Sequence, residues 1–479
     1  MSRKQIPFPI NGLGKDALLA QMKELSGDDI NWKQGRTFSL VYNPGPEISS
    51  MVKEAYNLFF SENALNPTAF PSLRRMEAEV VSMTANLFHG ENAAGTMSSG
   101  GTESIFLALH TARQWALKNR PRISEPEIIL PASAHPAFHK ACHYLQLKTV
   151  VIPLDENSQA NMTEMWSAIN KNTIMLVGSA PSYPHGIIDP IEKMSTLAIE
   201  KKLLLHVDAC IGGFLLPFIK KLGYTIPAFD FSLPGVTSIS ADIHKYGYAA
   251  KGASIILYKD ALLRRHQFYV YTNWNGGIYG SSTAGGTRPG GAIAAAWGAI
   301  NGIGLDGYLK LAQTTMDVAH KFKTAIKNTP ELRIIANPSS SIFAFTSDKL
   351  DIYAIGDEMS VKGWLIDRQQ EPPSIHLTIS PIHETVADEF ISDLHEAVEK
   401  VKKMSFGKVA TKVQVAAVKG LKKLLPDKAF NKLKSLAAGG NSVVTSKRTA
   451  AMYGMMGALA DSDDLDELII EFMDQLNSL

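Results

Sequence analysis

The residues most able to do chemistry stand together in Ser238-Ile239-Ser240-Ala241-Asp242-Ile243-His244-Lys245-Tyr246-Gly247. A β-rich run, 235–240, ends there in a polar turn that delivers His244 and Lys245 side by side. A lysine at the mouth of a strand is a candidate Schiff-base former, because desolvation there lowers its pKa. A lone His-Lys pair is more often a solvated surface feature, so the reading depends on what else the chain brings to the same place. His135, Ser179 and Asp208 each stand at or just beyond the end of a short apolar run.

Such residues need a scaffold. Apolar, β-branched runs recur at 127–130, 148–154, 173–177, 203–207, 236–240 and 253–258, with helical spacing between several of them at 136–147, 162–170 and 191–201. Strands alternating with helices predict right-handed crossovers and a largely parallel sheet buried on both faces. Ligands of such sheets bind beyond the carboxyl ends of the strands, where His135, Ser179, Asp208 and Lys245 fall.

Pyridoxal 5′-phosphate (PLP) gives each of these residues a task. Lys245 would hold its aldehyde as an imine, and Asp208 would keep its pyridine nitrogen protonated so that the ring accepts electrons. Asp208 could otherwise be a helix cap, and His135 a plain helix residue rather than a lid on the ring. Ser179 and His244 are read as further cofactor contacts. The phosphate anchor is Ser98-Ser99-Gly100-Gly101-Thr102-Glu103, opening a helical run at 104–116. Glycines allow close backbone approach there, and a helix N-terminus offers free N–H groups. The segment 302–307 matches GxGxxG but follows a helical run rather than a strand, so it is set aside. A second glycine-rich loop, 285–291, could complete the phosphate site from a neighbouring subunit.

The chain resembles the sphingosine-1-phosphate lyases, among the group II decarboxylase-like PLP enzymes of fold type I. The resemblance is carried by Phe70-Pro71-Ser72-Leu73-Arg74-Arg75-Met76-Glu77, Ser99-Gly100-Gly101-Thr102-Glu103-Ser104, Pro184-His185-Gly186-Ile187-Ile188-Asp189-Pro190 and Leu205-His206-Val207-Asp208-Ala209-Cys210. It continues through 238–252, Trp274-Asn275-Gly276-Gly277 and Pro372-Pro373-Ser374-Ile375-His376, running from about residue 37 to 457 apart from one insertion. It implies an α/β, fold-type I PLP-dependent transferase-like architecture, with a mainly parallel large domain and a smaller α/β C-terminal domain. It also implies cleavage of phosphorylated long-chain (sphingoid) bases between C2 and C3, giving a fatty aldehyde and phosphoethanolamine. By the same resemblance Lys251 serves the active site and the substrate phosphate, Tyr42 and Tyr453 belong to the site, and Gly101, Thr102 and Thr287 hold the cofactor phosphate. The resemblance further implies a homodimer with shared active sites, Tyr42, Asn66 and Thr287 reaching the partner's cofactor. Two positions depart from the pattern. Asn66 stands where a histidine important for activity is usual, and Ala250 replaces a proline. Asparagine can hydrogen-bond a phosphate but cannot shuttle a proton near neutral pH.

Composition sets the outer bounds. The chain has 479 residues, two cysteines and a formal net charge of +2. The cysteines cannot form a disulfide framework, which suits a cytoplasmic enzyme, and no His/Cys cluster has metal-ligand spacing. The N-terminus lacks a signal-peptide apolar region, and no stretch approaches ~18 apolar residues. The chain is similar here to the shorter, soluble bacterial lyases. The expected organisation is an N-terminal arm (1–60), a large PLP-binding domain (61–300) and a small C-terminal domain (301–479) carrying a basic insertion at about 402–440. In that insertion the lysines from Lys402 to Lys434 are opposed only by Asp427 and interleave with Val409, Val413, Leu421 and Leu424. One reading is a solvated helix on the small domain; the other is peripheral docking on anionic membrane. Scarce aromatics disfavour nucleic acid. Two rival functions stay open at this level: an amino-acid decarboxylase, and a catalytically weakened, membrane-associated relative.

Overall fold

The computed structural model describes residues 6–66, 68–405, 450, 466, 469–470 and 473–474. Tyr453 and nearly all of the lysine-rich insertion lie outside the described residues.

Seven strands form the central sheet: β1 (Ala94–Ser98), β2 (Glu127–Pro131), β3 (Lys148–Ile152), β4 (Thr173–Ser179), β5 (Leu204–Asp208), β6 (Ser238–Ala241) and β7 (Ser254–Tyr258), in the order β1-β7-β6-β5-β4-β2-β3. From β3 to β6 the pairing is parallel. Helices Ala137–Leu145, Met162–Ala168 and Ile191–Lys201 make crossovers between these strands. Ile128, Ile129, Leu130, Ile174, Leu176 and Val177 are fully buried, as continuous apolar runs in a two-sided sheet require.

The alternation stops at β7. No helix forms between β6 and β7, so β7 returns antiparallel to β6, and β1 adds antiparallel to β7. Strand β1 was not expected from its sequence, Ala-Gly-Thr-Met-Ser, which has no apolar run. Its Gly95 explains the fit: a Cβ there would stand 2.6 Å from the Ile256 carbonyl oxygen.

A solvent-facing hairpin, β8 (Tyr269–Trp274) and β9 (Gly277–Ser281), precedes the helix Gly290–Lys327. That helix runs from the large core, through Ala295 and Ala299, to a second core, through Phe322 and Ile326, and is kinked at Gly304 (φ 63°). The GxGxxG match thus falls inside a helix. The second core lies under an antiparallel sheet of β10 (Arg333–Ile334), β11 (Ile342–Thr346), β12 (Asp367–Gln370) and β13 (Pro373–Thr378), in the order β10-β11-β13-β12. The helix Ala387–Ser405 covers it with Phe390 and Leu394.

The N-terminal arm locks into this second core. Phe38 is buried, with its ring 4.3 Å from His383 and 4.8 Å from Phe390. Residues 39–42 are thereby carried over the carboxyl ends of β4–β6. The preceding helix, Lys15–Leu25, buries none of its residues.

Candidate active site

The β6–β7 turn carries the chemistry. Its backbone is pinned by the Asp242 N–H on the Cys210 carbonyl (3.2 Å) and the Ala249 N–H on the Ile243 carbonyl (3.1 Å). Tyr246 donates its hydroxyl to the Ile379 carbonyl (2.6 Å), and Tyr308 donates to the Gly247 carbonyl (2.9 Å). Held from both domains, the turn delivers Lys245 into a cleft of about 710 Å³.

The cleft brings together Tyr42, Gly101, Thr102, His135, Ser179, Asp208, His244, Lys245 and Lys251. Two other candidates are not in it. Asn66 is exposed and caps its own turn, its Oδ1 accepting from the Thr68 N–H (3.0 Å) and hydroxyl (2.7 Å). Thr287 lines a separate cavity of about 100 Å³ with Ser99 and Glu103, and Asn63 donates to its hydroxyl (3.3 Å). Tyr42 corrects the sequence reading: it enters the cleft of its own chain, because Phe38 anchors the arm beside it.

The charge state of Lys245 is a second correction. Its Nζ lies 2.9 Å from Oδ2 of Asp242, a carboxylate only 2% exposed. Burial alone would lower the lysine pKa, but Asp242, with Tyr42 beside it, holds it well above the ordinary range. Burial pushes Asp242 up, yet Lys245 and His244 keep it below the usual carboxylate range. The sequence reading weighed desolvation and overlooked an acid three residues upstream in the same turn.

The other groups sort into neutral and poised. Burial takes His244 down to about 4, against the pull of Asp242. Its Nδ1 accepts the Ala253 N–H (3.3 Å), which assigns the hydrogen to Nε2, 3.7 Å from Asp242 Oδ2. His135 is likewise depressed by burial, with Asp208 opposing, and its Nδ1 accepts the Ala137 N–H (3.1 Å). Tyr42 is raised to about 12, chiefly by burial, and so keeps its hydroxyl proton. Lys251 is lowered to about 8 by burial and by the charge of Lys245. Its ammonium donates to the His244 carbonyl (3.2 Å) and lies 5.4 Å from the Tyr42 ring centre.

The residues present fit PLP. Asp208 accepts the Cys210 N–H (3.0 Å) and the Ser240 hydroxyl (3.3 Å) on Oδ1, and among the described residues Oδ2 of this cleft-lining side chain has no partner. A pyridinium N–H would complete the hydrogen bonding of that oxygen. The helix Gly101–Asn119 starts from Gly100 with no side-chain cap, so its first N–H groups are open to a phosphate. A Cβ on Gly101 would come within 2.8 Å of both Cys210 Sγ and Asp242 Oδ2, so only glycine leaves that space. The phosphate turn itself is braced by Glu103, whose carboxylate accepts from the Ser99 N–H (2.7 Å) and the Ala284 N–H (2.9 Å).

Sequence reasoning missed several groups in the cleft: Ser39, Tyr183, Asp242 and Asp367. Tyr183 donates its hydroxyl to Asp367 Oδ2 (2.7 Å), and Ser39 donates to Asp367 Oδ1 (3.2 Å). The spacing Asp242-x-x-Lys245 was a usable signal. Nothing local marks Asp367, which the small domain brings in from far along the chain.

Comparison with known proteins agrees with this geometry. Residues 5–347 match the model of the pyridoxal-dependent decarboxylase conserved domain. A sphingosine-1-phosphate lyase of Oryza sativa subsp. japonica is 39% identical over 476 residues, spanning 98% of this chain and 81% of the relative. The solved structure of a sphingosine-1-phosphate lyase from Burkholderia pseudomallei superposes with a TM-score of 0.81 at 42% identity, covering 87% of this chain and 97% of the other. A glutamate decarboxylase from Lactobacillus brevis, 20% identical over 84% of this chain and 96% of its own, shares the fold with a TM-score of 0.72.

Proposed function

The chain belongs to the pyridoxal-dependent decarboxylase family and, within it, to the sphingosine-1-phosphate lyases, and from that premise we propose how its own cleft performs the reaction. It is a PLP-dependent carbon–carbon lyase that cleaves phosphorylated long-chain bases at C2–C3 to a fatty aldehyde and phosphoethanolamine. The observation that carries the reading is Lys251, a cation beside Tyr42 in a cleft whose described lining contains no arginine. An α-carboxylate asks for a guanidinium fork, whereas a phosphate is served by an ammonium point charge. This weighs against the amino-acid decarboxylase.

Bound PLP supplies the electron sink for the pair released when C2–C3 breaks. Lys245 would be its covalent anchor, and Asp208 Oδ2 would hold a proton on the ring nitrogen. His135, neutral and fixed by the Ala137 N–H, would cover the ring face. Gly101, Thr102 and the open N–H groups of their helix would bind the cofactor phosphate, with Ser179 and His244 completing the wall. Asp242 would hold the free Lys245 as an ammonium, in place to return a proton to C2. Lys251 would carry the charge that meets the substrate phosphate. Tyr42, un-ionised, would donate a hydrogen bond beside it. As C3 becomes the aldehyde, its hydroxyl proton leaves to a base in the cleft.

We place Asn66 and Thr287 at the cleft of a second copy, since each lies outside the cleft of its own chain. The exposed apolar surface of the helix Lys15–Leu25 and of the β8–β9 hairpin supports such an assembly. Among the described residues no helix is long and apolar enough to cross a membrane. Peripheral docking through the lysine-rich insertion would require salt-sensitive sedimentation with anionic vesicles, and vesicle binding unaffected by salt or absent altogether would remove it. The lyase assignment is tested by incubating PLP-loaded protein with a phosphorylated long-chain base and analysing the products by mass spectrometry. A matched fatty aldehyde and phosphoethanolamine are expected; release of carbon dioxide from amino acids with no aldehyde would overturn it.

A further inference from the structure

We propose that Lys251 is a second carbonyl-reactive lysine of the cleft, which captures aldehydes as a reversible imine. The inference rests on the lyase reading above only for the source of the aldehyde, which that reaction releases in the same cleft.

The two lysines of the cleft differ in what holds them. Lys245 is tied to Asp242 at 2.9 Å, and that contact locks it as an ammonium. Lys251 has, among the described residues, no carboxylate in ion-pair contact, and its Nζ has one hydrogen-bond partner, the His244 carbonyl at 3.2 Å. The Tyr42 ring, 5.4 Å from Nζ, gives it an aromatic wall. The residue is nonetheless exposed where it lines the cleft, so a small ligand reaches it. An amine beside a second ammonium and short of counter-charge suits imine chemistry, because the neutral form is the nucleophile. With its pKa lowered to about 8, on the order of a tenth of Lys251 is neutral at pH 7.

Lys323 shows that a low pKa would not suffice. Burial brings it to about 8 as well, but its ammonium donates to the Pro338 (2.8 Å) and Ser340 (2.6 Å) carbonyls, and it stands outside the cleft. What sets Lys251 apart is its place. Its neutral amine adds to the carbonyl carbon and the carbinolamine loses water, so that C=N replaces C=O. Hydrolysis reverses the step, and neither direction consumes an oxidant or a reductant. While the imine stands, Lys251 offers no ammonium to a phosphate, so the aldehyde blocks the site that formed it.

The test uses added octanal on the PLP-loaded protein. Borohydride first fixes the cofactor on Lys245 and is removed. Octanal and cyanoborohydride follow, the second reagent reducing the imine to a stable octyl-lysine, and the peptides are mapped by mass. At pH 7 octyl-lysine should form at Lys251 at least ~tenfold faster than at any other lysine, Lys323 included. An unlabelled Lys251 overturns the proposal. So does label spread evenly over the lysines, or Lys323 reacting as fast as Lys251. Failure of the unmodified protein to cleave a phosphorylated base removes the lyase reading instead, because capture of added octanal needs no cleavage.

Discussion

At the scale of single residues, Lys245 and Lys251 share one cleft but stand in opposite electrostatic surroundings. Asp242, 2.9 Å from Lys245, keeps that lysine charged, and its charge in turn helps lower Lys251 to about 8. If Lys251 binds the substrate phosphate as a cation, kcat/KM should fall as the pH rises through about 8, since the protonated form is lost above that value. Lys251→Arg should extend the plateau upwards, and an unshifted profile would assign the titration to another group. Lys245 itself is checked by borohydride reduction of the PLP-loaded protein. Mass mapping should place the fixed cofactor on Lys245, and Lys245→Ala should lose the visible absorption band. Asn66 belongs to this scale as well. Proton-transfer groups typically contribute ~10²–10⁴-fold, so Asn66→His should raise turnover while PLP occupancy stays constant. A rate no faster than wild type would mean that the site has diverged towards another substrate.

At the scale of elements, the end of β4 depends on a buried acid that never touches the cleft. Asp189 accepts the Ser179 N–H on Oδ2 and the Ala160 N–H on Oδ1, both at 2.8 Å. Burial raises it to about 6 despite these donors. Asp189→Ala would orphan two buried N–H groups, a loss of about 1–3 kcal/mol each before relaxation. Denaturant midpoints should fall accordingly, and PLP affinity should weaken through displacement of Ser179. A variant as stable as wild type would show that water replaces the carboxylate. The folded pKa of Asp189 lies above its ordinary value of 3.8. The proton-linked part of its contribution is therefore fully present below about pH 4 and is lost as the pH rises through about 6, while the two accepted hydrogen bonds remain.

At the scale of the whole molecule, the cleft is assembled from three distant parts of the chain. The arm supplies Ser39 and Tyr42, the large sheet and its loops supply His135, Ser179, Asp208 and Lys245, and β12 supplies Asp367. Asn66 and Thr287 are left on the outside. If a second copy uses them, two inactive chains should repair one another. Mixing Lys245→Ala with Thr287→Ala should restore part of the activity, because one of the two clefts in the mixed dimer is then intact. Tyr42→Phe should give no such recovery with Lys245→Ala, since Tyr42 lies in its own chain's cleft. Recovery with Tyr42→Phe and none with Thr287→Ala would reverse that assignment.

What the sequence determined by itself was the local and periodic part. The helix Ile191–Lys201 was readable to the residue, and β2–β6 within a few, because short apolar, β-branched runs alternating with helical spacing leave few alternatives to strands of an α/β sheet. Asp208, Ser179 and Lys245 were legible for the same reason, each lying at or just beyond the end of such a run. Strands β1 and β12 were not, since Ala-Gly-Thr-Met-Ser and Asp-Arg-Gln-Gln carry no apolar signature and exist only as partners of β7 and β13. The charge of Lys245, the cleft that receives Tyr42 and the presence of Asp367 were likewise decided in three dimensions. Each depends on which carboxylate or hydroxyl stands a few ångströms away. Coulomb and hydrogen-bond energies follow distance in space, and a distance spanning 328 positions, as between Ser39 and Asp367, is set only when both cores have packed.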